Sequence, residues 1–218
     1  MILADHIIFL DGEAIVLNKP AGLAVDAPRD RSPSVEAQLG DLAMGFRRLP
    51  VAVHRIDRDT SGCLLLARNP GAVKRFAQAF EGGAVEKRYL AVLEGVPGES
   101  EGLIDLPLTK VSTREAGWRM RGDPSGKKAL THWRVLREHG GRALVEFRPE
   151  TGRTHQLRVH AAEALGLPIV GDRVYGRAAD FMLLHAASLR LDRAGKPPVE
   201  ATAALPAHFA EAGFDGEP

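Results

Sequence analysis

The stretch His54-Arg55-Ile56-Asp57-Arg58-Asp59-Thr60-Ser61-Gly62 runs directly into the apolar segment Cys63-Leu64-Leu65-Leu66-Ala67. A short apolar run of this kind is typical of a buried strand. Charged side chains next to a buried strand have to be paired or to face a cleft. The segment Asp59-Thr60-Ser61-Gly62 also has the chemistry of an ordinary turn. The residues by themselves do not decide between an ordinary turn and a segment whose charged side chains are paired or face a cleft.

The rest of the chain predicts more strands than helices. Short apolar runs bounded by Gly, Pro and Asp predict further strands, at Ile7–Leu10, Ala14–Leu17, Tyr89–Leu93, Ala143–Phe147 and Met182–Leu191. Helical periodicity and capping residues predict three helices: Gly71–Phe80 before Gly82-Gly83, Ser34–Leu42 with Ser32 as N-cap and Pro33 at N1, and Thr154–Leu165 with Thr154 as N-cap. Because the order of strands and helices is irregular, we expect an α+β fold.

Composition places the chain among globular proteins. It has 218 residues, 44% hydrophobic and 26% charged, with 29 Lys and Arg against 28 Asp and Glu, a net charge of +1. These values exclude collagen, low-complexity disorder and disulfide scaffolds. No apolar run reaches the ~20 residues that a membrane span needs, and no signal peptide is evident. One cysteine, Cys63, indicates a buried thiol in a reducing compartment, so we expect a cytoplasmic protein.

Two segments stand out by charge. Lys110–Lys128 is rich in Gly, Ser, Thr and basic residues, which predicts a long exposed loop or an irregular hairpin. From Leu108 to Arg137 there are eight basic and two acidic residues, a local charge of +6. The last segment, Val199–Pro218, has four acidic residues and no Lys or Arg, and we interpret it as an acidic surface tail with one helical turn near Ala207–Ala212.

A second polar cluster extends from Glu150 to His160. If a helix begins at Thr154, its first turn presents His155, Gln156 and Arg158, and Arg153 adds a second arginine for a phosphate or a carboxylate. An ordinary solvated first turn fits the same residues. His155 and His160 are five residues apart, which on a helix turns them ~140° from each other, so we expect no metal site. No Walker loop, Gly-x-Gly-x-x-Gly or Gly-x-Ser-x-Gly motif is present.

Six motifs in order resemble one family over residues 7–192. The 54–62 stretch resembles the catalytic motif of the RluA family of RNA pseudouridine synthases. The remaining motifs are similar to those of the same family: Ala14-Ile15-Val16-Leu17-Asn18-Lys19-Pro20-Ala21-Gly22-Leu23, Lys87-Arg88-Tyr89-Leu90-Ala91, Thr151-Gly152-Arg153-Thr154-His155-Gln156-Leu157-Arg158-Val159-His160, Gly171-Asp172-Arg173-Val174-Tyr175-Gly176 and Leu184-His185-Ala186. Ile56 stands where the family usually has leucine.

The resemblance implies a fold and a reaction. The fold would be the pseudouridine synthase catalytic fold, with a mixed, mainly antiparallel central sheet flanked by helices and loops and an active-site cleft across the sheet. Residues 1–198 would form one catalytic domain, followed by the tail at 199–218, with no N-terminal RNA-binding domain of the kind that many members carry. The enzyme would isomerise uridines in structured ribosomal or transfer RNA without cofactor or metal, as a monomer, after flipping the target base.

The resemblance also implies roles for single residues. Asp57 would be the essential acid, either as nucleophile or as base at the sugar. Arg158 would pair with Asp57 and keep it ionised, and Tyr89 would stack on the target base. Substrate contacts would come from His54, Arg55, Lys19, Arg153 and Leu184, with Arg55 filling the gap left by the flipped uridine and Leu184 lining the uracil pocket. For the RNA surface we expect Arg119, Arg121, Lys127 and Lys128.

Two other functions compete with this prediction. A protein of the same fold could bind RNA without catalysis, but intact Asp57, Tyr89 and Arg158 argue against that. A hydrolase of small glycosides would need two carboxylates ~5–9.5 Å apart, for which Asp59 would have to partner Asp57.

Overall fold

The computed structural model describes residues 2–45, 47–113 and 117–215. The chain folds as two compact units. One comprises Met1–Lys87 and Ala186–Ala204, and the other comprises Arg88–His185 and Leu205–Pro218.

The first unit is built on antiparallel strand pairs. Its strand order is β1-β2-β4-β11, with β3 beside β4 and β12 beside β11; the strands are β1 (Ile7–Leu10), β2 (Ala14–Lys19), β3 (Val51–Ala52), β4 (Ser61–Ala67), most of β11 (Leu184–Arg193) and β12 (Lys196–Thr202). The pairs β1–β2, β2–β4, β3–β4 and β11–β12 are antiparallel. Strand β4 therefore has β2 and β11 as its neighbours in the order.

Strand β4 is the buried strand that the apolar run predicts. All of its residues are buried, including Ser61 and Gly62 at its start. The Cys63 Sγ lies 3.7 Å from the carbonyl oxygens of Ala187 and Ala201. Burial raises the pKa of this thiol to about 12. Cys63 is therefore an inert core residue, as we expect for a thiol in an apolar strand.

Helix α1 (Pro70–Glu81) confirms the predicted helix at Gly71–Phe80. Asn69 caps it, because its Oδ1 accepts a hydrogen bond of 2.9 Å from the Ala72 backbone N–H. Pro70 occupies the first turn, where no N–H is needed. Phe76 is buried on the apolar face. The helix ends at Gly82, as the Gly82-Gly83 pair predicts.

The predicted helix at Ser34–Leu42 is a shorter 3-10 helix, Glu36–Leu42. Ser34, not Ser32, satisfies its N-terminus, because the Ser34 Oγ accepts a hydrogen bond of 3.1 Å from the Ala37 N–H. Ser34 is also fully buried. The prediction of Ser32 as the cap is wrong because the local hydrogen bond starts two residues later.

The second unit has a four-stranded sheet and a separate hairpin. The strand order is β5-β10-β9-β6, and β7 pairs with β8. The strands are most of β5 (Val85–Leu93), β6 (Glu101–Asp105), β7 (Leu108–Thr113), β8 (Gly117–Gly122), β9 (Leu130–His139) and β10 (Arg142–Pro149). The pairs β5–β10, β10–β9, β9–β6 and β7–β8 are antiparallel.

One face of this sheet carries the core of the second unit. Alternation along β5 and β10 places Tyr89, Ala91, Val145 and Phe147 on that face. The buried cluster there also includes Leu157, Ala161, Ile169, Met182 and Leu184. Residues of the opposite alternation, such as Arg88 and Glu146, lie on the other face.

The predicted helix at Thr154–Leu165 begins later and changes type. Helix α2 covers only Gln156–Val159 and continues as a π-helical turn over His160–Ala164. Thr154 does not cap it. The preceding residue is His155, which has a φ of 54° in the left-handed region and makes no capping hydrogen bond. The side chain of buried Gln156 holds the segment before the helix instead. Its Oε1 accepts hydrogen bonds from the Arg153 N–H at 2.9 Å and from the Thr151 hydroxyl at 2.8 Å.

The two charged segments fold further than the sequence indicates. Of the two forms predicted for Lys110–Lys128, the hairpin is confirmed by β7 and β8; its tip at residues 114–116 lies outside the described residues. The helical turn predicted near Ala207–Ala212 is confirmed by the short helix α3 (Ala207–Glu211). The description of Val199–Pro218 as a surface tail is wrong, because the segment begins within strand β12 and buries two phenylalanines. Phe209 and Phe214 are fully buried in the part of the segment from Leu205 onward, which belongs to the second unit.

The α+β class is confirmed, with strands at all the predicted apolar runs and few helices. No helix among the described residues combines the length and apolar character required to cross a membrane.

Candidate active site

The loop that carries Asp57 begins after β3 and ends at β4 in the first unit. The Thr60 N–H donates a hydrogen bond of 3.1 Å to the Asp57 carbonyl, so the segment is a turn as its composition indicates. Asp57 itself is half-buried. The segment is therefore an ordinary turn and also places charged side chains beside a buried strand, so the two interpretations of the sequence do not exclude each other.

Gly62 fixes how closely this loop approaches β11. Its φ is +102°, and a Cβ built on it would lie 2.2 Å from the Ala186 carbonyl oxygen. No side chain fits at that distance, and the left-handed backbone also favours glycine. The glycine at the end of the motif is therefore required by the close contact between backbones.

Lys19 ties the turn at residues 20–23 to the Asp57 loop. Its side chain is fully buried, and its Nζ donates to the carbonyls of Pro20, Leu23 and Arg58 at 2.9, 2.7 and 3.0 Å. Burial lowers the pKa of Lys19, while the carboxylates of Asp59 and Asp57 act to raise it. An ammonium has three N–H donors and these carbonyls match all of them, so the role that the structure shows for Lys19 is structural. The predicted substrate contact of Lys19 stays a prediction.

Gly22 and Arg58 complete the same connection. The Gly22 N–H donates to the Arg58 carbonyl at 2.9 Å, and the Arg58 Nε donates to the Gly22 carbonyl at 3.0 Å. Two motifs that lie 36 residues apart in the sequence are thereby held together by reciprocal hydrogen bonds. The position of Asp57 depends on both of them.

His54 also anchors the loop. Its ring stacks on Phe80 with centroids 4.1 Å apart, and its Nε2 accepts the Leu65 N–H at 2.9 Å. Burial, with a smaller contribution from Lys87, lowers the pKa of His54 to about 3. The imidazole is therefore neutral at physiological pH, with its proton on Nδ1. The predicted substrate contact of His54 stays a prediction, and the role that the structure shows is structural.

Arg55 points away from this packed region. Its side chain is 69% exposed and its Nη1 lies 2.9 Å from the Asp26 carboxylate, which is 58% exposed. Exposed ion pairs of this kind contribute little to stability. The guanidinium can therefore exchange Asp26 for another partner, which suits the predicted role of filling a gap in RNA.

In the second unit, Arg158 belongs to a buried ion pair. Its Nε and Nη2 each donate to Asp172 at 2.7 Å, and both side chains are buried. Burial acts to raise the pKa of Asp172, but Arg158 and the N–H groups of Val174 and Tyr175 outweigh it, so the net pKa is lowered. Asp172 is therefore ionised and orients the guanidinium. The predicted pairing of Arg158 with Asp57 stays a prediction.

The other predicted residues of this unit differ in exposure. Tyr89 is half-buried and lies opposite Phe147 in the β5–β10 register. Leu184 is buried within the core. Arg153 is exposed, and its Nε donates to the Lys128 carbonyl at 2.9 Å. Their predicted substrate contacts stay predictions.

The predicted RNA surface is exposed and basic. It consists of Arg119 and Arg121 on β8 and Lys127 and Lys128 in the following turn, all of them exposed. Arg121 is partly neutralised by Asp123, whose carboxylate lies 3.0 Å away. Backbone pairing between Leu108 and Lys127 fixes the turn against the hairpin. These four residues therefore belong to one small region of the second unit.

Two structurally important acids were not singled out from the sequence. Asp172 lies within a quoted motif, and its position before two backbone N–H groups is visible only in the fold. Glu146 is buried in β10 and accepts ion pairs from Arg88, Arg134 and Arg148. A single acid inside the apolar run Ala143–Phe147 is the signal that could have pointed to it.

The described residues contain no group of three or more His, Cys, Asp or Glu side chains that could hold a metal ion.

Comparison with known proteins identifies the family. The model of the RNA pseudouridylate synthase family matches residues 13–163. An uncharacterised RNA pseudouridine synthase of Zymomonas mobilis is 56% identical, over 98% of this chain and 99% of that protein. Ribosomal large subunit pseudouridine synthase C of Rickettsia bellii is 37% identical over 95% of this chain and 71% of its own length.

A solved structure agrees with the sequence relatives. Human RNA pseudouridylate synthase domain containing 4 superposes with a TM-score of 0.81 and 26% identity, covering 96% of this chain and 92% of that one. The family match covers more than half of the chain and includes the Asp57 loop, Tyr89 and Arg158. The chain thus belongs to the RNA pseudouridine synthases, isomerases that act on RNA, and within them to the RluA type.

Proposed function

We propose that this RNA pseudouridine synthase uses Asp57 as its catalytic carboxylate on specific uridines of structured ribosomal or transfer RNA. The observation that supports it best is the construction of the Asp57 loop. Lys19, Gly22, His54 and Gly62 all hold this loop, and the Asp57 carboxylate that it carries is half-buried. Such support is what a reactive group requires, because catalysis depends on a fixed geometry.

The reaction is an isomerisation, so no cofactor is consumed. The bond between C1′ of the ribose and N1 of uracil breaks, the base rotates, and C1′ bonds to C5. The proton on C5 then leaves, and N1 carries a proton in the product. Asp57 would act in the first part, either by attacking C1′ or by removing a proton from the sugar.

Tyr89 and Arg158 would support these steps. A tyrosine ring can stack on the uracil, and its hydroxyl can assist removal of the C5 proton. Arg158 carries a charge that would favour ionised Asp57, and Asp172 holds its guanidinium in a fixed orientation. Since the glycosidic carbon is hidden in stacked RNA, the target base has to be flipped out, which is cheapest in loops.

The names of the relatives support ribosomal RNA as the substrate class. The Rickettsia relative is called a ribosomal large subunit enzyme. No such name is attached to the more similar Zymomonas relative. Ribosomal and transfer RNA therefore both stay within the proposal.

Mapping in cells tests the proposal and identifies the substrate. Pseudouridines are labelled with carbodiimide and located by primer extension in cells with and without the gene. We expect at least one site to disappear on deletion, and to return with the wild-type gene but not with Asp57→Ala. If deletion removes no site, the chain is an RNA-binding protein without this activity. If Asp57→Ala restores the site, Asp57 is not the catalytic residue.

A further inference from the structure

Trp118 is an aromatic side chain of the second unit that the proposed reaction does not use. It lies on β8 and its side chain is 48% exposed. In the β7–β8 register Ser112 lies opposite Trp118, and Lys110 lies opposite Met120. Lys110 is therefore the diagonal neighbour of Trp118 on the same face of the hairpin. The Lys110 Nζ lies 5.1 Å from the centre of the indole ring. A half-exposed indole with a cation beside it is not a core residue.

The inner part of the same hairpin face is packed. Met120 contacts the small cluster formed by Leu108, Ala129 and Val159. Alternation along β8 places Arg119 and Arg121 on the opposite face. Trp118 therefore lies at the outer edge of a face that is anchored at its other end, and it is separate from those two arginines.

The imidazole of His155 also contacts the indole. The two ring centroids are 5.1 Å apart and tilted by 30°. His155 has a φ of 54°, a conformation that costs free energy for a residue with a Cβ. Its Nδ1 lies 2.9 Å from the Tyr175 hydroxyl, which also accepts the Met120 N–H at 2.9 Å. The surrounding structure thus fixes the imidazole where it contacts Trp118.

This ring cluster continues to Arg158. The guanidinium carbon of Arg158 lies 5.3 Å from the centre of the Tyr175 ring, and Asp172 holds that guanidinium in a bidentate pair. A connected set of side chains therefore leads from exposed Trp118 through His155 and Tyr175 to Arg158. All of them belong to the second unit.

We propose that Trp118 and Lys110 form a subsite for one unpaired base of the substrate RNA, with the base stacked on the indole and its phosphate beside Lys110. The proposal rests on RNA being the substrate. Single strands are held by aromatic platforms combined with basic side chains, because every base has a π-face and every linkage a negative charge. The exposed indole, the cation over it and the basic turn at Lys127 and Lys128 together meet that requirement.

Binding to a short RNA tests the subsite. The probe is a fluorescein-labelled 12-nucleotide strand of adenosine and cytidine only, which cannot be turned over, used alone and annealed to its complement. Stacking energies predict about a tenfold loss of single-strand affinity in Trp118→Leu and at most about a threefold loss in Trp118→Phe. Duplex affinity should not change, because paired bases cannot stack on the indole.

Phe181 provides the matched control. It is 49% exposed, stacks on His208 with centroids 4.6 Å apart, and lies outside the hairpin. Phe181→Leu should leave single-strand affinity unchanged. The chain has two tryptophans and Trp133 is buried, so quenching of tryptophan fluorescence by the probe should vanish in Trp118→Phe.

Three results would overturn the subsite. One is an unchanged single-strand affinity in Trp118→Leu, which would indicate that Trp118 contacts a protein rather than RNA. Another is an equal loss for the strand and the duplex, which would indicate a general effect of the hairpin. A third is unchanged quenching in Trp118→Phe. Because this probe needs no conversion of uridine, the result stands whether or not Asp57 proves to be catalytic.

Discussion

At the scale of single residues, the motif side chains divide into those that can meet RNA and those that hold the loop. Lys19 and His54 are both polar motif residues that the sequence suggests as substrate contacts. The structure places one on three carbonyls and the other on a backbone N–H. A sequence motif does not distinguish side chains that contact RNA from side chains that hold the loop, because burial is a property of the fold and not of the residue type.

His54 predicts a pH dependence of stability. Its pKa is about 3 in the folded chain against 6.5 for an ordinary histidine. Below pH 6.5 the unfolded chain binds a proton that the folded chain does not, so stability falls as the pH falls. Between pH 6.5 and 5 the loss should approach roughly 1.4 kcal/mol per pH unit.

Urea unfolding of the wild type and of His54→Gln at pH 7, 6 and 5 measures this effect. Titrating carboxylates contribute to both proteins, so the difference between the two slopes isolates His54. We expect the variant to be less stable at pH 7, because the neutral ring is lost, and to lose less stability on acidification. Parallel slopes for both proteins would show that His54 is not held neutral.

At the scale of elements, apolar runs predicted the strands well and local capping signals predicted the helices less well. Helix α1 agrees because Asn69, Pro70 and Gly82 act within a few residues of the helix. Helix α2 begins at Gln156 rather than at Thr154, and the ring of the preceding residue, His155, contacts Tyr175 and Trp118. Those partners are far from it in sequence, so no local pattern could indicate them.

The contact between the Asp57 loop and β11 predicts a steric requirement at Gly62. A Cβ there would overlap the Ala186 carbonyl oxygen at 2.2 Å. Gly62→Ala should therefore cost roughly 3 kcal/mol of unfolding free energy, from the overlap and the left-handed backbone together. Urea unfolding measures the cost directly.

Gly12 is the matched control, because a Cβ there meets nothing within 4 Å and its φ is not positive. Gly12→Ala should be neutral or stabilise by up to about 1 kcal/mol. A Gly62→Ala variant as stable as Gly12→Ala would mean that the loop can move away from β11 freely. The structural support described for Asp57 would then be weaker than the geometry indicates.

At the scale of the whole molecule, the net charge of +1 conceals an uneven distribution. Residues 108–137 alone sum to +6, while the last segment, Val199–Pro218, is acidic. Composition does not exclude RNA binding, because phosphates respond to the local charge. The fold places part of this charge on the β7–β8 hairpin and the turn after it, in the unit that holds Arg158.

That distribution predicts a salt dependence of RNA binding. Neutralising Arg119, Arg121, Lys127 and Lys128 together should weaken RNA affinity and reduce the slope of log affinity against log salt by up to about 3. Arg190, which is paired with Asp192 and Glu200, offers a control because its charge is already compensated. An unchanged slope in the fourfold variant, or an equal change in Arg190→Gln, would place the RNA elsewhere.

The family and the α+β fold could be predicted from six motifs, whereas the roles of Lys19, His54 and Asp172 could not. Each of these three depends on a partner that only the folded chain supplies. Trp118 had no motif to mark it, and only its exposure beside Lys110 makes it a candidate.

The most direct measurement of the central claim is pseudouridine formation by the purified chain on total ribosomal and transfer RNA, with Asp57→Asn beside Asp59→Asn. Both changes remove one carboxylate from the same loop, so folding and charge are matched. We predict a loss of about a thousandfold or more in Asp57→Asn and a rate within a fewfold of wild type in Asp59→Asn. Unchanged conversion by Asp57→Asn would contradict the assignment of Asp57. An equal loss in both variants would instead favour chemistry that requires two carboxylates.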